Sequence, residues 1–192
     1  DNYTIGDAAD EATASVEGGD GEDTLSSTAA IFGGAGITNP EIYTGFDVLA
    51  VTDVLPDLFA IDVSDFDGVD SFKAGNGVAA LGTATVSGVG NGSTVTMAGD
   101  LATNTGTLEV TLADASGSSD SLDFIIDTLI DENSDAVVDT TAATATATIS
   151  GVETLNVEST GTPDEDPAGA EMDIASNTLA LTNDELVTLN IS

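Results

Sequence analysis

GGDGEDTLS, at residues 18–26, reads glycine, glycine, any residue, glycine, any residue, aspartate, any residue, large apolar residue, any residue. This nonapeptide pattern is typical of the turn-plus-strand unit of calcium-binding parallel β-rolls. Glycines suit a tight turn that aims carbonyl oxygens at one cation, because glycine adopts positive φ without steric cost. Asp23 adds a hard anionic oxygen, and Leu25 begins a short strand. The pattern therefore predicts a calcium-binding turn, although a plain acidic loop is the alternative interpretation.

Calcium takes about six to eight oxygen ligands, so one such turn does not complete the coordination shell. A neighbouring turn must share the ion. The sequence contains one full copy of the nonapeptide, and the partner turn is not visible in it.

The charge of the chain is strongly unbalanced. Thirty-five acidic residues stand against a single base, Lys73, which gives a formal net charge of −34. Such self-repulsion destabilises a compact state unless cations bind or the medium is salty. Nucleic acid and anionic membranes are excluded as partners, and we expect no membrane insertion. The apolar fraction of 41% argues against disorder.

The residue types that are missing exclude most catalytic chemistry. The chain has no Cys and no His, so disulfides, thiol nucleophiles, the usual general base and the commonest zinc ligand are absent. A glycosidase needs a pair of carboxylates, but among so many acidic residues such pairs occur by chance and indicate nothing. A sugar cleft usually presents aromatic platforms, and this chain has no Trp and only two Tyr. We therefore expect a protein that is not an enzyme.

A phrase of glycine, apolar residue, acid, any residue, large apolar residue, any residue and small apolar residue recurs along the chain. It occupies residues 45–51, 68–74 and 151–157, with a looser copy at 183–191. The fifth and seventh positions alternate as in a strand, and the preceding glycine and acid form a turn. Each copy is predicted to be one short strand laid on a growing stack, here called a rung.

Residues 75–150 separate the phrases. Strands rich in threonine and apolar residues alternate there with turns of Gly, Asn and Ser. This pattern suggests antiparallel hairpins packed as a small sandwich. The sequence thus predicts an all-β fold of stacked parallel, β-roll-like rungs with an antiparallel, β-sandwich-like insertion and little helix.

Three segments follow from this pattern. Residues 1–74 hold an irregular N-terminal segment, the calcium turn and the first rungs. Residues 75–150 form the insertion, and residues 151–192 hold further rungs. Because the last residues read as the middle of a strand, we expect the chain to continue into a longer protein.

A second candidate calcium site resembles the front of an EF-hand loop. Its first, third, fifth and ninth positions are Asp131, Asn133, Asp135 and Asp139. The usual glycine and the bidentate glutamate are replaced by Ala136 and Ala142, so it is not an EF-hand. Asp127 is a candidate to complete a partial calcium loop. A solvated acidic turn is the alternative.

A third candidate site surrounds Phe66 and Gly68. It consists of Asp62, Asp65, Asp67 and Asp70, of which the last three are the predicted ligands. Carboxylates this close repel one another by about 1 kcal/mol per pair in water unless a cation bridges them.

The text ISGVETLNVEST at residues 149–160, together with the nonapeptide, resembles the calcium-dependent surface-layer proteins and related large repeats-in-toxin proteins of Gram-negative bacteria. This resemblance implies a subunit of a paracrystalline cell-surface sheet, secreted by a type I system. It implies that Ca²⁺ orders the β-roll and mediates contacts within and between subunits. It places the carbonyl ligands on Gly19, Asp20 and Gly21 and the carboxylate on Asp23. The chain departs from the family in lacking a second tandem repeat.

The expected partners are further copies of the chain in a sheet or lattice, calcium, and cell-surface polysaccharide as a candidate. A repeat or binding module of a large secreted adhesin, rigidified by calcium, is the alternative function. A halophile's protein whose acids only hold water and salt is a third interpretation. Tandem near-identical neighbouring domains would favour the adhesin, and two-dimensional sheets would favour the surface layer.

Overall fold

The computed structural model describes residues 1–6, 15–33, 37–130, 140–163, 174–183 and 185–192. Strands dominate these residues, and helix is limited to α1 (Ala29–Phe32) and the 3₁₀ turns Pro40–Ile42 and Val63–Asp65. Within the described residues, no helix is long and apolar enough to cross a membrane. The strands are β1 (Asn2–Thr4), β2 (Val16–Glu17), β3 (Thr24–Ser27), β4 (Tyr43–Thr44), β5 (Val48–Val51), β6 (Ala60–Asp62), β7 (Ser71–Ala74), β8 (Val78–Val89), β9 (Thr94–Gly99), β10 (Thr105–Leu112), β11 (Ser121–Ile130), β12 (Thr140–Ser150), β13 (Thr154–Pro163), β14 (Ile174–Thr182) and β15 (Thr188–Ile191).

Along most of the chain, successive strands lie alternately in two parallel sheets. The odd-numbered strands form an eight-stranded sheet in the order β1-β3-β5-β7-β9-β11-β13-β15, and β6 to β14 form a five-stranded sheet of even-numbered strands. A short pair, β2 and β4, lies apart from both. All described pairings are parallel. The predicted all-β fold of stacked parallel rungs is therefore confirmed.

The predicted rungs lie in the eight-stranded sheet. The phrases at residues 45–51, 68–74 and 151–157 become β5, β7 and β13 with their preceding turns, and the looser copy becomes β15. Leu25, Leu49 and Phe72 stack in register and are buried. Because strand side chains alternate with a period of two, every second residue enters the core between the two sheets.

The predicted antiparallel insertion is wrong. Strands β9 and β11 continue the eight-stranded sheet between β7 and β13, while β8, β10 and β12 pair in parallel in the other sheet. Alternation of apolar and polar residues is common to both strand directions, and turns of Gly, Asn and Ser serve hairpins and solenoid corners alike. The strand pairing of the solenoid therefore continues across residues 75–150.

The strand register moves by two residues within the eight-stranded sheet. Phe72 and Phe124 both pair with Val95, and Phe124 then pairs with Val157. Phe72 and Leu155 both hold the fifth position of their phrase. Phe72 is aligned across the sheet with Val157, however, so Leu155 lies two residues before the level of Phe72. A two-residue move preserves the face of every side chain, so the core stays apolar.

Candidate calcium-binding corner

Acidic residues directly precede strands of the eight-stranded sheet and collect at one corner of the solenoid. They form two stacks, separated by the register change. The first stack is Asp23, Asp47 and Asp70, before β3, β5 and β7. The second is Asn91, Asp120 and Glu153, of which the acids precede β11 and β13. We call the two stacks together the acidic corner. Neighbouring members lie about one strand spacing apart, roughly 4.8 Å.

Backbone hydrogen bonds connect the first stack. Asp47 and Val48 donate their N–H groups to the carbonyl oxygen of Asp23, at 2.9 and 3.0 Å. The Asp23 N–H donates to Oδ2 of Asp47 at 2.8 Å. Each turn is thereby held to the turn of the next rung, which explains why an acid recurs at this position.

Asp23 is fully buried. Its Oδ1 accepts a hydrogen bond from the ammonium group of Asp1 and forms an ion pair with it, whereas Oδ2 is buried without a hydrogen-bond partner among the described residues. An anionic oxygen removed from water and left without a donor is costly, by several kcal/mol in comparable proteins. The site is therefore suited to a cation.

The glycines of the nonapeptide have separate geometric roles. Gly19 and Gly21 have φ of 110° and 120°, in the region that favours glycine. At Gly18 a Cβ atom would lie 2.1 Å from the carbonyl oxygen of Gly45, so only glycine lets the two corners approach. Gly19, Asp20 and Gly21 are exposed, whereas Asp23 is buried.

The third predicted site is only partly assembled. Asp70 joins the first stack, whereas Asp65 and Asp67 are exposed in the turn before β7. Asp62 accepts hydrogen bonds from the backbone N–H and the hydroxyl of Ser64, at 3.1 and 2.6 Å, and so begins the 3₁₀ turn. Calcium binding at these residues stays a prediction.

The EF-hand-like candidate is mostly outside the described residues, since Asp131, Asn133, Asp135 and Asp139 are not among them. Asp127 lies on β11, where its Oδ1 accepts a hydrogen bond from the hydroxyl of Thr160 at 3.3 Å. Across the parts of the chain that the structure describes, no three acidic side chains converge on a point where they could hold a metal ion. Calcium in these turns would depend on backbone carbonyl and hydroxyl oxygens beside one or two carboxylates.

The second stack was not singled out as a site in the sequence. Asp120 is only 5% exposed, although it ends the polar turn Ala113 to Asp120. Its Oδ1 accepts a hydrogen bond from the amide of Asn91 at 2.6 Å, and its N–H donates to Oε2 of Glu153 at 2.8 Å. Its Oδ2 is buried without a partner among the described residues. The available signal was an acid directly before an alternating strand, as at Asp23.

The pKa of Asp114 lies below its ordinary value of 3.8, because the hydroxyl of Ser116, and then its backbone N–H, donate to the carboxylate. Because the pKa is lower in the folded state, these hydrogen bonds stabilise the folded chain at pH values above the pKa of the unfolded state. This stabilisation is lost as the pH falls through the pKa of the folded state. Ser116→Ala should raise the pKa of Asp114 towards 3.8. An NMR titration that follows the carboxyl carbon of Asp114 measures this pKa, and Ser118→Ala is the control. An unchanged pKa in Ser116→Ala would contradict this assignment.

The outer face of the eight-stranded sheet carries a trough of about 940 Å³. Its floor is formed by small and hydroxyl side chains, among them Thr24, Ser26, Ser71 and Thr94, and it includes Lys73. Further along this face, Asn190 donates to Asn156 at 2.7 Å, and Asn156 donates to Asp123 at 2.6 Å. This ladder of side chains runs across β11, β13 and β15.

Fold and corner together define an acidic, two-sheet parallel β-solenoid. Comparison with protein-family models, with curated proteins and with solved structures found no match for this chain.

Proposed function

We propose that the chain is a non-enzymatic structural module of an extracellular bacterial surface layer, exported by type I secretion. In this proposal calcium ions neutralise the acidic corner, order the stacked strands and mediate contacts between copies. The observation that carries it is the buried Oδ2 of Asp23, which has no hydrogen-bond partner among the described residues, on a chain of net charge −34. The resemblance of residues 18–26 and 149–160 to surface-layer proteins supports the assignment.

The energetics favour a bound cation at this corner. Carboxylates in the first stack follow one another at about the strand spacing, and Lys73 is the only basic side chain of the sequence. Two like charges at 4 Å repel by roughly 4 kcal/mol where the effective dielectric constant is near 20. A divalent cation bound between the carboxylates replaces their mutual repulsion by attraction of both to the ion. In this proposal the glycine turn supplies its carbonyl ligands.

Features of the outer surface support contacts between copies. Leu58 and Leu81 are exposed leucines with φ of 61° and 64°. They lie three residues after Leu55 and Val78, which form a parallel bridge between neighbouring rungs. A positive φ at leucine costs about 1–2 kcal/mol, so exposed leucines held this way point to an interaction surface. On the five-stranded sheet, Thr107 pairs in register with Thr83 and Thr146, which builds a regular polar face.

A binding module of a large adhesin is the second candidate. The trough on the eight-stranded sheet supports it, because its volume falls within the range of ligand sites. Cell-surface polysaccharide is a candidate occupant in either proposal.

Calcium removal tests the proposed function. An ion at about 10 mM over a site of roughly 100 μM affinity adds about 2.7 kcal/mol of folding free energy per site. We expect the melting temperature, followed by circular dichroism, to fall markedly when chelator replaces calcium. Electron microscopy of the same samples should show sheets with calcium and none with chelator.

Potassium at matched ionic strength is the control. Equal melting temperatures in calcium and in potassium would support the halophile interpretation instead, and would contradict the calcium proposal. Glycan binding without sheets would favour the adhesin.

A further inference from the structure

We propose that Asp120 anchors a second calcium site, in a rung that lacks the nonapeptide. This inference rests on the proposed use of calcium by the fold, but it concerns different residues. Asp120 stands directly before β11, as Asp23 stands directly before β3. These two are the acidic residues whose buried Oδ2 atoms lack a hydrogen-bond partner among the described residues.

The position of Asp120 is fixed by its neighbours. Its Oδ1 accepts from Asn91, whose own side-chain oxygen accepts the N–H of Ser121 at 2.9 Å. Its carbonyl oxygen accepts the N–H groups of Glu153 and Thr154, each at 3.0 Å. Both sides of the residue are therefore held, and Oδ2 cannot turn to solvent without breaking these bonds.

The charges around Asp120 are negative. Glu153 contacts the Asp120 backbone through Oε2. Glu185 reaches the same corner, since a Cβ on Gly151 would lie 3.9 Å from its Oε2. The basic side chain nearest in the strand order is Lys73 on β7, two strands from β11. A buried carboxylate oxygen that has no hydrogen-bond donor among the described residues, and that lies among other acids, is stabilised by a bound cation.

The turn before β11 covers this oxygen. At Gly117 a Cβ atom would lie 2.6 Å from Oδ2 and 2.7 Å from Oδ1 of Asp120, so the backbone passes close over the carboxylate. Carbonyl oxygens of this turn and the hydroxyls of Ser118 and Ser119 are hard oxygen donors of the type that calcium accepts. We therefore assign calcium, with Asp120 as its carboxylate ligand.

Asp120→Asn is the direct test, with Asp100→Asn as matched control. Asparagine preserves the shape of the side chain and removes its charge. The Asp100 carboxylate is partnered, because its Oδ1 accepts the N–H groups of Ala102 and Thr103. Calorimetric titration with calcium should give one ion fewer per chain for Asp120→Asn and no change for Asp100→Asn.

Melting experiments add a second readout. In chelator, Asp120→Asn should melt at or above the wild-type temperature, because a buried unpartnered charge is gone. In saturating calcium it should melt below wild type, because the ion is lost. If Asp120→Asn does not fold, Gly117→Ala serves instead, since its Cβ would crowd Oδ2 and should weaken calcium binding by tenfold or more.

Three outcomes would overturn the inference. One is an unchanged number of ions in both Asp120→Asn and Gly117→Ala. Another is a difference in melting temperature between wild type and Asp120→Asn that is the same in calcium and in chelator. A third is loss of an ion in Asp23→Asn but not in Asp120→Asn, which would leave the proposed function standing. Loss in neither variant would contradict both.

Discussion

Leu155→Asp is expected to prevent cooperative folding of the solenoid. Leu155 is fully buried, stacked between Leu122 and Leu189 in the eight-stranded sheet. An aspartate there would place a charge in an apolar core where no base is near. Such a buried, unpaired charge costs more than about 4 kcal/mol, which approaches the stability of a typical domain. Denaturant unfolding followed by circular dichroism measures the loss.

Leu189→Asp is the matched control, because Leu189 occupies the same position one rung later. It is 46% exposed, whereas Leu155 is fully buried. The same substitution should therefore change the free energy of unfolding by less than about 1 kcal/mol. Equal losses for the two variants would mean that Leu189 is buried as deeply as Leu155, which would contradict the exposure on which the comparison rests.

Phe124→Ala is expected to lower the free energy of unfolding by about 3–5 kcal/mol, because a large side chain leaves a cavity in a packed core. Phe124 is fully buried and pairs with Val95 on one side and Val157 on the other. This position tests whether β11 presents Phe124 to the core between the two sheets.

Ile125→Ala is its control, one residue along the same strand. Ile125 faces the trough on the outer surface and is half-buried. Its truncation should cost less than about 1 kcal/mol. A larger loss for Ile125→Ala than for Phe124→Ala would mean that the faces of β11 are reversed.

Much of the solenoid could be predicted because its rungs are locally encoded. At residues 45–51, 68–74 and 151–157, a glycine turn, an acid and two alternating apolar residues lie within seven positions. The alternation determines which side chains point inward, whatever strand comes next. The glycines of residues 18–26 were predictable for the same reason, since positive φ at Gly19 and Gly21 is a local requirement.

Two rungs, those of β9 and β11, could not be recognised from the sequence because their turns differ from the repeated phrase. Strand β9 follows Asn91-Gly92-Ser93, and β11 follows Ser118-Ser119-Asp120, so neither has the glycine, apolar residue and acid of the phrase. Those turns are equally compatible with hairpins. No local pattern distinguishes Asp120 from the nearby Asp114 of the same serine-rich turn, and Asp65 and Asp67 are close to Asp70 in sequence without sharing its place in the stack.

The sequence by itself determined the strand character, the inward and outward faces and the extreme negative charge, because these depend on residue type and on a period of two. Only the tertiary structure decided the parallel direction of residues 75–150, since pairing joins segments that are distant in sequence, such as Thr107 with Thr146. It also decided which carboxylates are buried. Asp23 and Asp120 are enclosed by turns of other rungs, through Asp47 at the first and through Asn91 and Glu153 at the second, and no local pattern encodes those contacts.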